Sequence, residues 1–221
     1  MAEMRSKRDP KAVEGMARFG ISPERTLGLS VPFLRKMAKR LGTDHELAKG
    51  LWSSGVHEAK ILAALVDDPE KVTEAQMEKW VAGFDSWDIC DCCCGNLFDR
   101  TPFAYTKAGE WAEHDEEFVK RAGYVLMAEL AVHDKKAPDS AFMGFFGAIE
   151  RGSTDPRNFV KKAVNWALRQ IGKRNLRLNR AAIELARKIS KKESPSAKWV
   201  ASDATSELKS EAVQKRLRRS S

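Results

Sequence analysis

Long apolar runs are missing from this chain of 221 residues, and none of its apolar stretches approaches the roughly 20 residues a bilayer-spanning helix needs. Nothing in the N-terminal MAEMRSKRDPK resembles a cleavable apolar leader, so a soluble protein of the reducing cytoplasm is expected, with no membrane partner. Cysteine is scarce and confined. All four residues, Cys90, Cys92, Cys93 and Cys94, fall within SWDICDCCC, which excludes a disulfide framework stapling distant loops. A second CxxC pair is absent, and His45, His57, His114 and His133 lie scattered without ligand spacing, so no metal is assigned. Sustained apolar/polar alternation between turn residues is also absent, which leaves strands unsupported and removes the βαβ setting of a thioredoxin-like redox site. Acids are nearly missing from one long stretch: Arg157 to Lys192 holds twelve Lys and Arg against Glu184 alone.

That stretch concentrates the charge. Residues 151–221 carry 19 Lys and Arg against 6 acids, whereas residues 1–150 carry 20 against 25, so the net charge of +8 belongs to the C-terminal third. A solvated basic face and a polyanion partner such as nucleic acid both account for it. With 43% apolar residues the chain can bury one sizeable core or build an array of repeats.

What is present reads as helix throughout. Start signals recur at Ser30 before Val31 and Pro32, at the capping boxes Thr43 to Glu46 and Thr73 to Gln76, at Asp85 or Ser86, at Thr101, Asp139 and Asp155, and at Ser194 before Pro195. Gly42, Gly55 and Gly152 serve as stops. The pattern predicts helices over 10–19, 31–41, 44–54, 56–67, 74–84, 86–99, 102–112, 115–132, 139–151, 156–173, 175–192 and 206–218. Twelve such helices make about six pairs of roughly 40 residues, near the period of HEAT-type repeats. A globular bundle and a stack of helix pairs both fit that pattern.

Helical spacing sorts the chemistry-bearing residues. Ile89, Cys90, Cys93, Cys94 and Leu97 share one apolar arc, which predicts core thiols. Trp87 and Asp91, four positions apart, sit one above the other at its border, an indole with a carboxylate beside it; these two residues alone favour a rim tryptophan with a capping or salt-bridging aspartate. Asp88 points elsewhere and is expected in solvent. In NFVKKAVNWALRQIGKRN, Phe159, Val160, Ala163, Val164, Ala167, Leu168 and Ile171 form the buried stripe, while Lys162, Arg169 and Lys173 line the other flank and Trp166 falls beside them. An indole in a basic face suits stacking on sugar or base next to phosphate, and equally suits closing a gap between helices. Arg121 stands near the core boundary of its helix, placed for an ion pair with Glu117 or Glu129 or for phosphate.

Five stretches in order, LGLSVPFLRKMAKRLG, LWSSGVHEAKILAALVDD, FDSWDICD, the Arg121 helix and FVKKAVNWALRQIGK, resemble the AlkD-like alkylpurine DNA glycosylase family from about Phe19 to Lys192. The resemblance implies an all-α fold, a superhelical stack of antiparallel HEAT-like helix pairs (an α-solenoid). One repeat domain would cover 1–221, with a basic tail at 203–221 that is either a final helix or a disordered arm. It further implies a monomer whose basic concave surface holds duplex DNA, and excision of N3- or N7-alkylated purines without drawing the lesion into a pocket. By position, the family's catalytic set falls on Trp87, Asp91, Arg121 and Trp166, with Asn165 where a glycine is common. Lys162, Arg169, Lys173, Arg174 and Arg177 would bind DNA, and no cofactor is implied. The chemistry implied is hydrolysis to an abasic site in base excision repair. A DNA-binding relative without excision and a helical protein-binding scaffold are the rival readings, separated by base release and by the salt dependence of duplex binding.

Overall fold

Several of these start signals act as caps in the computed structural model, which describes residues 1–219. Ser30 Oγ accepts the Phe33 N–H, Thr73 Oγ1 the Gln76 N–H and Ser194 Oγ the Ala197 N–H, satisfying donors that a helix start leaves open. Elsewhere the signal is displaced. Asp44, not Thr43, caps its helix. Thr101 turns its hydroxyl back to the Phe98 carbonyl. Asp155 accepts both the N–H and the guanidinium of Arg157, so that helix begins only at Asn158. The described residues are all helix and connection, without a strand, and they fall into two compact units, Met1–Pro102 and Phe103–Ser221.

The first unit contains α1 (Ala2–Ser6), α2 (Pro10–Ala17), α3 (Val31–Leu41), α4 (His45–Ser53), α5 (His57–Val66), α6 (Glu74–Val81) and α7 (Trp87–Asn96), followed by a 3-10 turn at Phe98–Arg100. Gly42 ends α3 at φ 74°, a left-handed conformation that costs glycine little. The Asp44 N–H donates to the Val66 carbonyl, so the start of α4 meets the end of α5 and the two run antiparallel. Helices α5 and α7 instead run parallel, because His57 meets Asp88 and the Ile61 carbonyl meets Cys92, each 31 residues on. Ile61, Leu62 and Val66 are at most 2% exposed, and burial of each such side chain contributes roughly 1.5–3 kcal/mol. Beside them Trp52 stacks on Trp80 at 4.2 Å between ring centroids.

The second unit contains α8 (Ala104–Ala112), α9 (Glu117–His133), α10 (Asp139–Met143), α11 (Phe146–Gly152), α12 (Asn158–Gly172), α13 (Leu176–Ile189), α14 (Pro195–Lys209) and α15 (Glu211–Arg219). Tyr105 at the start of α8 donates to Asp134 just past α9, and Tyr124 on α9 donates to the Ala112 carbonyl at the end of α8, so this pair is antiparallel. Gly123 lets the two backbones close up: a Cβ there would lie 2.3 Å from the Ala112 nitrogen. One register then recurs. Arg121 donates to the Phe159 carbonyl, Asn165 to Asp203 and Arg169 to Glu207, each across 38 residues, so α9, α12 and α14 lie side by side and parallel. Arg151 to Glu113 and Lys188 to Glu150 repeat the same offset along the other helices of the pairs. This is the period of about 40 that the helix count predicts.

Several boundaries differ from expectation, and α1 and residues 195–205 of α14 lie outside every predicted helix. The helix predicted over 139–151 breaks at Gly144 and Phe145 into α10 and α11. Gly152 does not stop a helix by turning but forms the last helical residue of α11. The helix predicted over 206–218 is two helices, because Ser210 takes extended backbone (ψ 146°) between α14 and α15. Of the stretch 203–221 read as a basic tail, residues 203–219 complete α14 and form α15, and 220–221 lie outside the described residues.

Candidate nucleic-acid interface

Helix α7 starts where Ser86, buried and extended at φ −155°, turns the chain into Trp87. Asp88 in its first turn accepts the Ile89 N–H and pairs with His57 Nε2 at 2.8 Å. Burial pushes the Asp88 carboxyl up, but the His57 hydrogen bond and charge prevail and hold it below the usual aspartate range. Asp88 is therefore a partner of α5 rather than the solvated residue expected, a link invisible to helix spacing because His57 lies 31 residues away.

Trp87 is half-buried, and its indole N–H donates to the Phe19 carbonyl at 3.1 Å. Asp91, one turn on, is half-buried at the same border. The opposite face of the helix is sealed. Cys90, Cys93 and Cys94 are fully buried, as the apolar arc predicts. Burial pushes the Cys92 thiol up to about 12, against the opposing charge of Arg35 and with the help of Asp88 and Asp91. Burial likewise pushes Cys93 and Cys94 well above the ordinary thiol range, so these groups are thiols rather than reactive thiolates. Among the described residues no three His, Cys, Asp or Glu side chains gather in a metal-holding arrangement, and no helix is long and apolar enough to cross a membrane. Two neighbours of this helix escaped the sequence reading. Arg35 is exposed on α3 and close enough to act on Cys92, and Phe19 is 68% exposed beside the Trp87 indole. The cations of LRKMAKRLG were the available signal for the first; none marked the second.

In the second unit α12 buries Val160, Ala163, Val164, Ala167, Leu168 and Ile171 as its apolar stripe requires, leaves Phe159 of that stripe half-buried in the first turn, and adds Asn165, 2% exposed, whose amide donates to Asp203. Trp166 is half-buried at the stripe's edge, with exposed Lys162 one turn before it and Arg169 one turn after. The expected phosphate ligands then divide. Lys162 is exposed without a side-chain partner among the described residues, and Arg177, its side chain 74% exposed, is 4.0 Å from Asp139. Arg169 and Lys173 share Glu207, the latter at 2.6 Å, and Arg169 also lies 3.4 Å from Asp203. Burial raises the Glu207 carboxyl, but the Lys173 hydrogen bond and the two cations bring it below its usual value. Arg174 donates to the Ala131 and Ala137 carbonyls and stacks 3.9 Å from the Phe142 ring centre. The basic run thus looked uncompensated because its acids arrive one register later, on α14. Arg121 is only 6% exposed and donates to the Phe159 carbonyl at 2.7 Å, tying α9 to the first turn of α12.

Comparison with solved structures finds the same fold in a protein described as a member of "a new family of proteins related to the HEAT-like repeat DNA glycosylases with affinity for branched DNA structures". The TM-score is 0.76 at 19% identity, covering 100% of this chain and 93% of that one. The fold is accordingly an all-α HEAT-like repeat fold. At the level of sequence, the family described as "DNA alkylation repair enzyme" matches residues 1–208. The chain belongs to that family. Two uncharacterised proteins, from Listeria monocytogenes and Listeria innocua, are each 27% identical to this DNA alkylation repair family member over 131 residues. Those alignments span 58% of this chain and 58% of each relative's length.

Proposed function

We propose that the chain is a monofunctional DNA glycosylase that hydrolyses the N-glycosidic bond of N3- and N7-alkylated purines in duplex DNA. The observation that supports this most is the Trp87–Asp91 pair: both half-exposed, one turn apart at the border of the buried Ile89, Cys90, Cys93 and Cys94 face, with the indole edge fixed by Phe19. An alkylated purine is cationic before reaction. As its bond to the sugar C1′ breaks, the electron pair moves into the purine, which leaves neutral, and the sugar becomes oxocarbenium-like. Such a leaving group needs no acid, so a carboxylate is the useful group. Asp91 stabilises the sugar cation and accepts the proton of the water whose oxygen bonds to C1′, leaving an abasic site. Trp87 and Trp166 offer electron-rich faces to the cationic deoxyribose. Lys162 and Arg177 bind phosphates directly, whereas Arg169 and Lys173 do so by exchanging Glu207, and Arg174 from its carbonyl anchors. Arg121 acts as a positioning residue, holding the first turn of the helix that carries Trp166. No lysine nucleophile enters, so lyase chemistry is not expected, and a cytoplasmic monomer without cofactor suffices.

The test is base release. Purified protein should free 7-methylguanine or 3-methyladenine from methylated duplex, and Asp91→Asn should remove most of that activity while duplex binding survives; undiminished release by the variant refutes the role of Asp91. A second reading, DNA binding without excision, draws on the branched-DNA affinity stated for the protein of like fold. It predicts duplex binding with no base release by the unaltered chain.

A further inference from the structure

At the C-terminal ends of α9 and α12, within the second unit, lies an open cleft of about 570 Å³, lined in part by Lys135, Lys173, Arg174, Arg216 and Asp139. That volume suits a sugar-phosphate fragment. Cations gather where helices end, because the last carbonyls carry partial negative charge, and this accounts for part of the cluster. Arg174 holds the Ala131 and Ala137 carbonyls, and Arg216 on α15 donates to the Lys173 carbonyl at 3.0 Å. It does not account for the rest. Lys135 is exposed with no side-chain partner among the described residues, Arg177 reaches the rim only through Asp139 at 4.0 Å, and Arg174 Nε is a buried donor without a partner. The acids nearby are few: Glu207 on Lys173, Asp139, and Asp134, whose carboxyl is occupied by Tyr105 and by the Lys136 and Ala137 N–H groups.

We infer that this cleft is a phosphodiester-binding subsite, in which Lys135 and Arg216 join Arg174 and Arg177 in holding a DNA backbone segment outside the reacting nucleotide. The inference rests on the DNA-binding part of the proposed function, not on excision. The phosphodiester belongs either to the continuing duplex or to a second arm of a branched molecule, and one experiment separates the two.

Binding of undamaged linear duplex and of a four-way junction is measured against salt for the full chain, for Lys135→Glu, for Lys135→Glu with Arg216→Glu, and for Lys71→Glu, the same charge change on an exposed residue of the first unit. Lys135 makes no side-chain bond, so its single variant keeps the test sound if the double variant folds poorly. The plot of log K against log salt should flatten by about 0.9 for each phosphate that the variant no longer neutralises. Weakening on both DNAs places the continuing duplex in the cleft; weakening on the junction alone places a second arm there. Unchanged slopes for both cleft variants, or an equal weakening in Lys71→Glu, overturn the inference. Because undamaged DNA is the ligand, a protein that excises nothing still reports on the cleft, and a protein that binds no DNA at all refutes the underlying reading instead.

Discussion

Glu58 on α5 is fully buried, and its carboxylate accepts three consecutive main-chain N–H groups: Leu27 at 2.9 Å to each oxygen, Gly28 at 2.6 Å and Leu29 at 3.1 Å. The segment so held leads directly into the Ser30 cap of α3. In Glu58→Gln the shape survives and Oε1, which already accepts from all three N–H groups, can remain an oxygen, but Oε2 becomes an NH2 facing the Leu27 N–H, and the bonds to Oε1 lose the carboxylate charge. Hydrogen bonds to a charged group are worth about 1.5–3 kcal/mol each, and a stranded buried donor costs about 1–3 kcal/mol. Loss of one to two such bonds predicts destabilisation of about 2–4 kcal/mol, or a fall in Tm of roughly 4–16 °C for a chain of this size. Urea and thermal unfolding followed by far-ultraviolet circular dichroism measure it, with the slope in urea expected to be unchanged. A variant within about 0.5 kcal/mol of the parent, the range of ordinary surface substitutions, would mean that the loop holds itself and that the carboxylate clamp is incidental.

Acid should unfold the protein through carboxyls whose folded values lie below their unfolded ones: Asp88, Asp155 and Glu207. A depressed folded value adds stability above the unfolded pKa, about 3.9 for Asp and 4.3 for Glu, and that stability is lost as pH falls through the folded value. Asp88→Asn should therefore melt below the parent at pH 7, with the gap closing as pH falls below about 4; an equal gap at pH 3 and pH 7 contradicts the His57 pairing. At pH 8 a Cys92 thiol with its pKa near 12 is thiolate in on the order of one molecule in ten thousand, so iodoacetamide should label the native protein very slowly and the unfolded protein at all four cysteines. Fast stoichiometric labelling of the native chain would show the cluster to be open. Glu207→Gln should release Arg169 and Lys173 from their shared acid, tighten undamaged-duplex binding and steepen its salt dependence; unaltered binding would place those two cations away from DNA.

The fold was legible wherever burial used large apolar residues. The stripe of α12 and the thiol arc of α7 follow directly from spacing, and Trp87 and Asp91 fall at the border where spacing puts them. Helix α14 was largely missed because its buried face, though regularly spaced, is mostly small: Ser196, Ala197, Ala201 and Ala204, with Val200 and Leu208 its larger apolar members. What no local pattern carries is the identity of partners one register away. Asp88 needed His57, Arg169 needed Asp203 and Glu207, and Arg121 needed the Phe159 carbonyl one register on. The placing of Trp87, Asp91 and Trp166 at the edges of buried stripes was readable, but how many of the nearby cations are already paired was not.

The offsets of 31 and 38 residues also say something about assembly. Groups that touch are separated by one helix pair, so closing each contact costs loop entropy that does not grow along the chain, and successive pairs can dock in order as they emerge from the ribosome. The bond from the Trp87 indole to the Phe19 carbonyl spans 68 residues and sits outside that rhythm. The indole beside Asp91 therefore locks only after the N-terminal segment has closed across two intervening pairs, a larger loop than its neighbours need, which leaves that corner sensitive to changes far upstream in the chain.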